Sequence, residues 1–273
     1  MTEASRRSIA APRSEAKPVP DRPDATGTGH AGGRYAFVDL WRGTAIIGVV
    51  LYHFGWDLSF FGYAAPGLML SDPALLFARA LAGSFMFLSG VGLVLAHGAG
   101  VAWGKFLRRL AKVAGAALAI SVVTWFLFPD QFVYFGILHS IAAASVLGLA
   151  FVFAPVWIVA LASLATFASA LAIQTPSFDG RALAWIGFAA NPPLSNDYVP
   201  LFPWFGVTLS GIASTRIFLS LNGRSGSASS ASRPAPGWLA WTGRHTLSIY
   251  LIHQPALFAG FVAFAWLTGR SSP

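Results

Sequence analysis

The sequence predicts an all-α, polytopic transmembrane bundle of about seven spans with a cytoplasmic N-terminus. Three observations lead there. Of 273 residues, 55% are hydrophobic and only 10% charged, against roughly a quarter charged in soluble domains. Several apolar stretches reach the roughly 20 residues that a helix needs to cross a bilayer. The positive charges fall on alternate connections between those stretches, as the positive-inside rule requires.

Residues 1–33 are rich in Ala, Pro, Arg, Ser and Gly, with no apolar run to bury, and read as a disordered cytoplasmic tail. Their early arginines are not followed by the apolar core of a signal peptide. The membrane domain is expected over 34–267, followed by a short tail, 268–273. Spans are expected near 36–56, 74–97, 107–128, 132–153, 155–174, 199–219 and 238–267. Pro73 and Pro155 suit the first turn of a helix, where no backbone donor is needed. Only Pro129, Asp130 and Gln131 separate the third span from the fourth, which predicts a tight antiparallel pair. Pro200 and Pro203 should disturb the start of the sixth span. Residues 221–237 read as a flexible linker.

Arg6, Arg7, Arg13, Lys17, Arg22 and Arg34 precede the first span. Lys105, Arg108, Arg109 and Lys112 lie around the second connection, and Arg216, Arg224 and Arg233 around the sixth. The other connections carry Asp57, Asp72, Asp130, Asp179 and Asp197, with Arg181 the one loop arginine on that side. The net charge of +8 therefore reports topology, not nucleic-acid binding. The location implied is a cell inner membrane, crossed several times. With no Cys at all, disulfides, thiolate metal sites and a Cys nucleophile are excluded.

Ionisable residues within spans are costly and call for a reason. The first span holds Asp39, Arg42, His53 and Asp57. At 100° per residue Arg42 and His53 lie within about 20° of each other, and Asp57 is one turn past His53. That stripe puts an acid–base pair at the cytoplasmic end and a histidine with a carboxylate roughly 16 Å further out. Arg79, His139, Asp197, Tyr198 and His253 supply polar groups from other spans. His253 shares a face with Thr246 and Tyr250, and Pro255 frees the Leu251 carbonyl. Arg244 falls on the opposite face from His253 in a regular helix and should cap the cytoplasmic end. Asp39 and Arg42 at i, i+3 equally suit a helix-end salt bridge, and a lone His139 equally suits a bond to a neighbouring helix. Small residues at Gly90, Gly92, Gly206 and Gly211 point to close helix packing.

The runs FVDLWRGTAIIGVVLYHFGWD, FMFLSGVGL, FGILHSIA, DYVPLFPWFG and GRHTLSIYLIHQP together resemble the heparan-alpha-glucosaminide N-acetyltransferase catalytic domain family, in its bacterial branch. The first run, with His eleven residues after the Arg of Arg-Gly, is also similar to membrane acyltransferases that acetylate surface sugars. The resemblance covers 34–267 and implies transfer of acetyl from cytoplasmic acetyl-CoA, as co-substrate, to a glycan or amino-sugar acceptor across the membrane. In that family a histidine near the first span is central. His53 is the match here, since no His lies between Phe54 and Ala96.

The residues suit that chemistry. Arg42, Lys105, Arg108, Arg109 and Arg244 offer cations to a polyanionic donor. His53 can act as base or acetyl carrier, with Asp57 orienting it. Arg79, His139, Asp197, Tyr198 and His253 can hold the acceptor or an oxyanion. No metal and no nucleic acid are expected; the lipid bilayer is the constant partner, and a homo-oligomer is compatible with the pattern. A transporter using the buried His, Asp and Arg as a proton or substrate relay is the alternative, though no internal repeat supports it. A haem protein with paired axial histidines ranks below both.

Overall fold

The computed structural model describes residues 36–224 and 237–269. The expected tail 1–33, most of the expected linker 221–237 and the last residues of 268–273 lie outside the described residues. Among the described residues every regular element is helical: α1 (Ala36–Phe60), α2 (Asp72–His97), α3 (Trp103–Leu127), α4 (Ile137–Leu149), α5 (Val156–Ala172), a one-turn α6 (Arg181–Ala184), α7 (Leu201–Arg224), α8 (Gly237–Arg244) and α9 (Thr246–Leu267). Five of these, α1, α2, α3, α7 and α9, are long and apolar enough to cross a membrane, and α4 and α5 are shorter apolar helices. Pro73 stands in the first turn of α2 and Pro155 just before α5, where neither removes a helical hydrogen bond.

Helix α7 is the centre of one half of the bundle, packing against α2, α4 and α5. The seam with α2 is close because glycines face backbone: a Cβ on Gly90 would overlap the Thr208 carbonyl, and one on Gly211 the Phe87 carbonyl. Met86, Leu93, Leu209, Ile212 and Val159 fill the space between, essentially without exposure. Of the small residues noted in the sequence, Gly90 and Gly211 form this seam, while Gly206 faces Thr166 of α5 and Gly92 faces Arg42 of α1. Ser89 and Thr208 pair across it at 3.3 Å.

In the other half α1 packs against α2, α8 and α9. The contacts α1–α2, α2–α4, α4–α3, α3–α9 and α9–α1 close a ring of five helices. The backbones of α1 and α3 do not approach each other directly.

Three sequence expectations need correction. The fourth span does not begin at 132: α4 starts at Ile137, because the segment before it pairs with the chain entering α7. Val199 N–H donates to the Phe135 carbonyl at 3.1 Å and Asn196 N–H to that of Gln131 at 2.8 Å. Val133 and Val199 are buried there, and irregular backbone at depth is tolerable when protein covers it. The sixth span is disturbed at its start as expected, with Phe202 at φ −97 and ψ 131 inside α7. The last span is not one helix. It breaks at His245, whose N–H bonds the Trp241 and Thr242 carbonyls, and α8 lies along α1, with Gly243 seated against the Asp39 carbonyl. The regular-helix placement of Arg244 therefore does not apply, although Arg244 is exposed beside the start of α1.

Candidate active site

Two helices build the candidate centre. Helix α1 contributes His53 and, one turn on, Asp57; α9 contributes His253 and its neighbour Gln254. The two imidazoles meet edge to face, with ring centroids 4.9 Å apart. Asp57 is 4% exposed, and its Oδ1 accepts a hydrogen bond from Gln254 Nε2 at 2.8 Å. The carboxylate expected to orient His53 is thus held by a residue on another helix. Asp57 Oδ2, His253 Nε2 and Gln254 Oε1 are buried with no hydrogen-bond partner among the described residues. Buried polar atoms are normally paired, so three unpaired ones on adjoining residues mark this place out. Gln254 is a site residue that the sequence reading does not include. Its one signal is an amide beside a mid-span histidine, followed by Pro255, in an apolar helix.

A second polar cluster lies beside Tyr250, one turn before His253. The Tyr250 hydroxyl donates to Asp197 Oδ2 at 3.4 Å, and the same oxygen accepts from Ile137 N–H at 2.9 Å. Asp197 so caps the first turn of α4 from another part of the chain. A Cβ on Gly136 would overlap that carboxylate oxygen. Burial raises the Asp197 carboxyl above the usual carboxylate range, against the opposing pull of the Ile137 N–H and the Tyr250 hydroxyl. His139 is committed within the same cluster. Its Nδ1 accepts from Gly136 N–H at 3.2 Å, and its Nε2 pairs with Ser121 Oγ at 3.1 Å. Tyr198 donates to the Ala184 carbonyl at 2.7 Å and borders a cavity of about 360 Å³ whose wall includes Gln174, Pro200 and Phe202. Burial raises its hydroxyl above the usual phenol range. Arg79 is exposed on α2, away from any polar partner among the described residues.

At the end of α1 that holds its N-terminus, Arg42 pairs with Asp39 at 3.7 Å. Its guanidinium also lies beside Gly92 of α2. Arg42 and Arg109 are near enough for their charges to interact, as are Arg109 and His97. Lys105 and Arg108 are exposed on the same end of α3. His97 braces the turn between α2 and α3, where its Nδ1 accepts from Ala102 N–H at 3.3 Å. No three His, Cys, Asp or Glu side chains cluster to hold a metal ion among the described residues.

The family model described as heparan-alpha-glucosaminide N-acetyltransferase, catalytic, matches residues 34–255. The chain belongs to that family. The matched stretch contains His53, Asp57, His253 and Gln254, and takes in Arg42 and Arg109. As a member of the heparan-alpha-glucosaminide N-acetyltransferase catalytic family with helices fit to span a membrane, the chain is a membrane acetyltransferase. No curated protein and no solved structure matches it.

Proposed function

We propose that this membrane acetyltransferase takes acetyl from cytoplasmic acetyl-CoA and delivers it to an amino or hydroxyl group of a sugar on the outer side of the cell inner membrane, with His53 at the chemical centre. The observation that carries the reading is the meeting of His53 with His253 at 4.9 Å, beside three buried acceptor atoms without partners. A site of that kind suits a ligand that brings its own N–H or O–H groups.

The donor end follows from charge and reach. Arg42 and Arg109, near enough for their charges to interact, with Lys105, Arg108 and Arg244 on the same side, suit the phosphates of acetyl-CoA, because guanidinium groups bind phosphate oxygens with paired donors. Eleven residues of α1 separate Arg42 from His53, a rise of roughly 16 Å at helical pitch. An extended pantetheine arm spans that distance and brings the thioester to the two histidines. The acceptor then enters from the far side, past Tyr198 and Asp197, with Arg79 on that rim.

Sealed vesicles test both the chemistry and its direction. Inverted vesicles, which present the cytoplasmic face, should incorporate label from radioactive acetyl-CoA into glycan. Right-side-out vesicles should do so only after permeabilisation, and His53→Ala should abolish the signal in both. Equal incorporation in intact right-side-out vesicles would refute the sidedness. Full incorporation by His53→Ala would remove His53 from the centre.

A further inference from the structure

The hydrogen bonds of His253 fix which of its ring nitrogens carries the proton. His253 Nδ1 lies 2.8 Å from the Tyr250 carbonyl oxygen and 3.3 Å from that of Ile249. A carbonyl only accepts, so Nδ1 carries the proton. In the neutral ring the lone pair is then on Nε2, and that atom is buried without a partner among the described residues. His139 is in the opposite condition. Its Nδ1 accepts from Gly136 N–H, which leaves Nε2–H to donate to Ser121 Oγ. Ser121 passes its own hydrogen to the Val133 carbonyl at 2.6 Å. His139 has no lone pair to spare, and the Nδ1 of His97 is occupied by Ala102 N–H. His253 therefore holds an imidazole fixed in one tautomer, with its basic nitrogen uncommitted and a second imidazole against its ring.

We propose that His253 Nε2 is the general base of the transfer, taking the proton from the acceptor's amino or hydroxyl group as that group attacks the acetyl thioester. The inference rests on the acetyltransferase reading above and divides its labour. The acceptor's nitrogen or oxygen lone pair forms a bond to the acetyl carbon while its proton passes to Nε2. The carbon–sulfur bond breaks, its electron pair leaves on the CoA sulfur, and that sulfur takes the proton back from Nε2. The histidine ends as it began. Asp57 Oδ2 and Gln254 Oε1, both acceptors and both unpaired, can receive the hydrogens that the acceptor keeps. His53 then serves the acetyl side of the reaction.

His253→Asn separates a base from a brace. The asparagine amide nitrogen occupies the place of Nδ1 and can still donate to the Tyr250 carbonyl, but nothing remains at Nε2. Purified full-length protein in lipid vesicles is given radioactive acetyl-CoA with glucosamine or glucose as probe acceptors. His253→Asn should bind acetyl-CoA as the wild type does and transfer acetyl about 10²–10⁴-fold more slowly, the usual worth of a positioned base. Transfer within about threefold of wild type would overturn the assignment. Nitrogen-15 NMR of histidine-labelled protein in bilayers reads the tautomer directly: a bare Nε2 whose signal disappears in His253→Asn supports the proposal, and a protonated Nε2 overturns it. A wild type that transfers acetyl to neither probe counts against the sugar-acceptor reading instead, and a protonated Nε2 would still overturn the base.

Discussion

The bond between Asp57 and Gln254 is the most direct polar tie between α1 and α9, and a double-mutant cycle measures it. Asp57→Ala, Gln254→Ala and the double variant are compared with wild type by equilibrium unfolding in mixed micelles. Interhelical hydrogen bonds within membranes average about 0.6 kcal/mol and reach about 1.7. Hydrogen bonds to a charged group run about 1.5–3 kcal/mol more generally. Two features place this pair where those ranges meet. The contact is short, 2.8 Å, and Asp57 is 4% exposed, so water does not compete with the amide in the intact protein. Asp57 Oδ2 has no other partner among the described residues to take up the load. We expect a coupling of about 1.5 kcal/mol, a little over tenfold in the unfolding constant. A coupling below about 0.5 kcal/mol, the scatter of independent sites, would refute the claim that this bond ties the site together.

Two further outcomes follow from neighbouring parts of the bundle. Replacing Arg42 and Arg109 together with Gln should weaken acetyl-CoA binding, measured by calorimetry, by about 1–3 kcal/mol per lost charged contact while leaving thermal stability unchanged; equal affinity would confine both arginines to topology. Asp197→Asn should keep its melting temperature, because an amide oxygen still accepts from Ile137 N–H and Tyr250 and burial already disfavours the charge, whereas Asp197→Ala should lose about 1–3 kcal/mol by orphaning those donors.

The long helices are legible because their signal is local: an apolar run of bilayer length states its own presence, and the charges on α3 mark its end. The start of α4 is not. Residues 132–136 are apolar enough to read as helix, but the Phe135 carbonyl bonds to Val199 N–H, some sixty residues on, and Val133 bonds through its backbone to Ser121 and Thr124 of α3; hydropathy carries no record of such pairing. The break at His245 is hidden for a similar reason, since the seat of Gly243 on Asp39 is a contact between the two ends of the sequence. At the site, His53 and Asp57 stand out because charged or titratable groups in a span need explaining. Gln254 carries no charge and gives no such signal. His139 and His253 look alike as isolated letters, and only their partners separate a ring with both nitrogens engaged from one with a nitrogen to spare.

The ring of helices closes between the first long helix and the last. A ribosome that has delivered everything through α7 has already supplied the buried seam of α2, α5 and α7, and the partial protein can be well packed and correctly inserted. It still lacks His253 and Gln254, and with them half of the candidate centre. On the proposed assignment the two histidines meet only when α9 packs beside α1. A chain interrupted before α9 would keep the packed seam and lack the His53–His253 pair on which the proposed transfer depends.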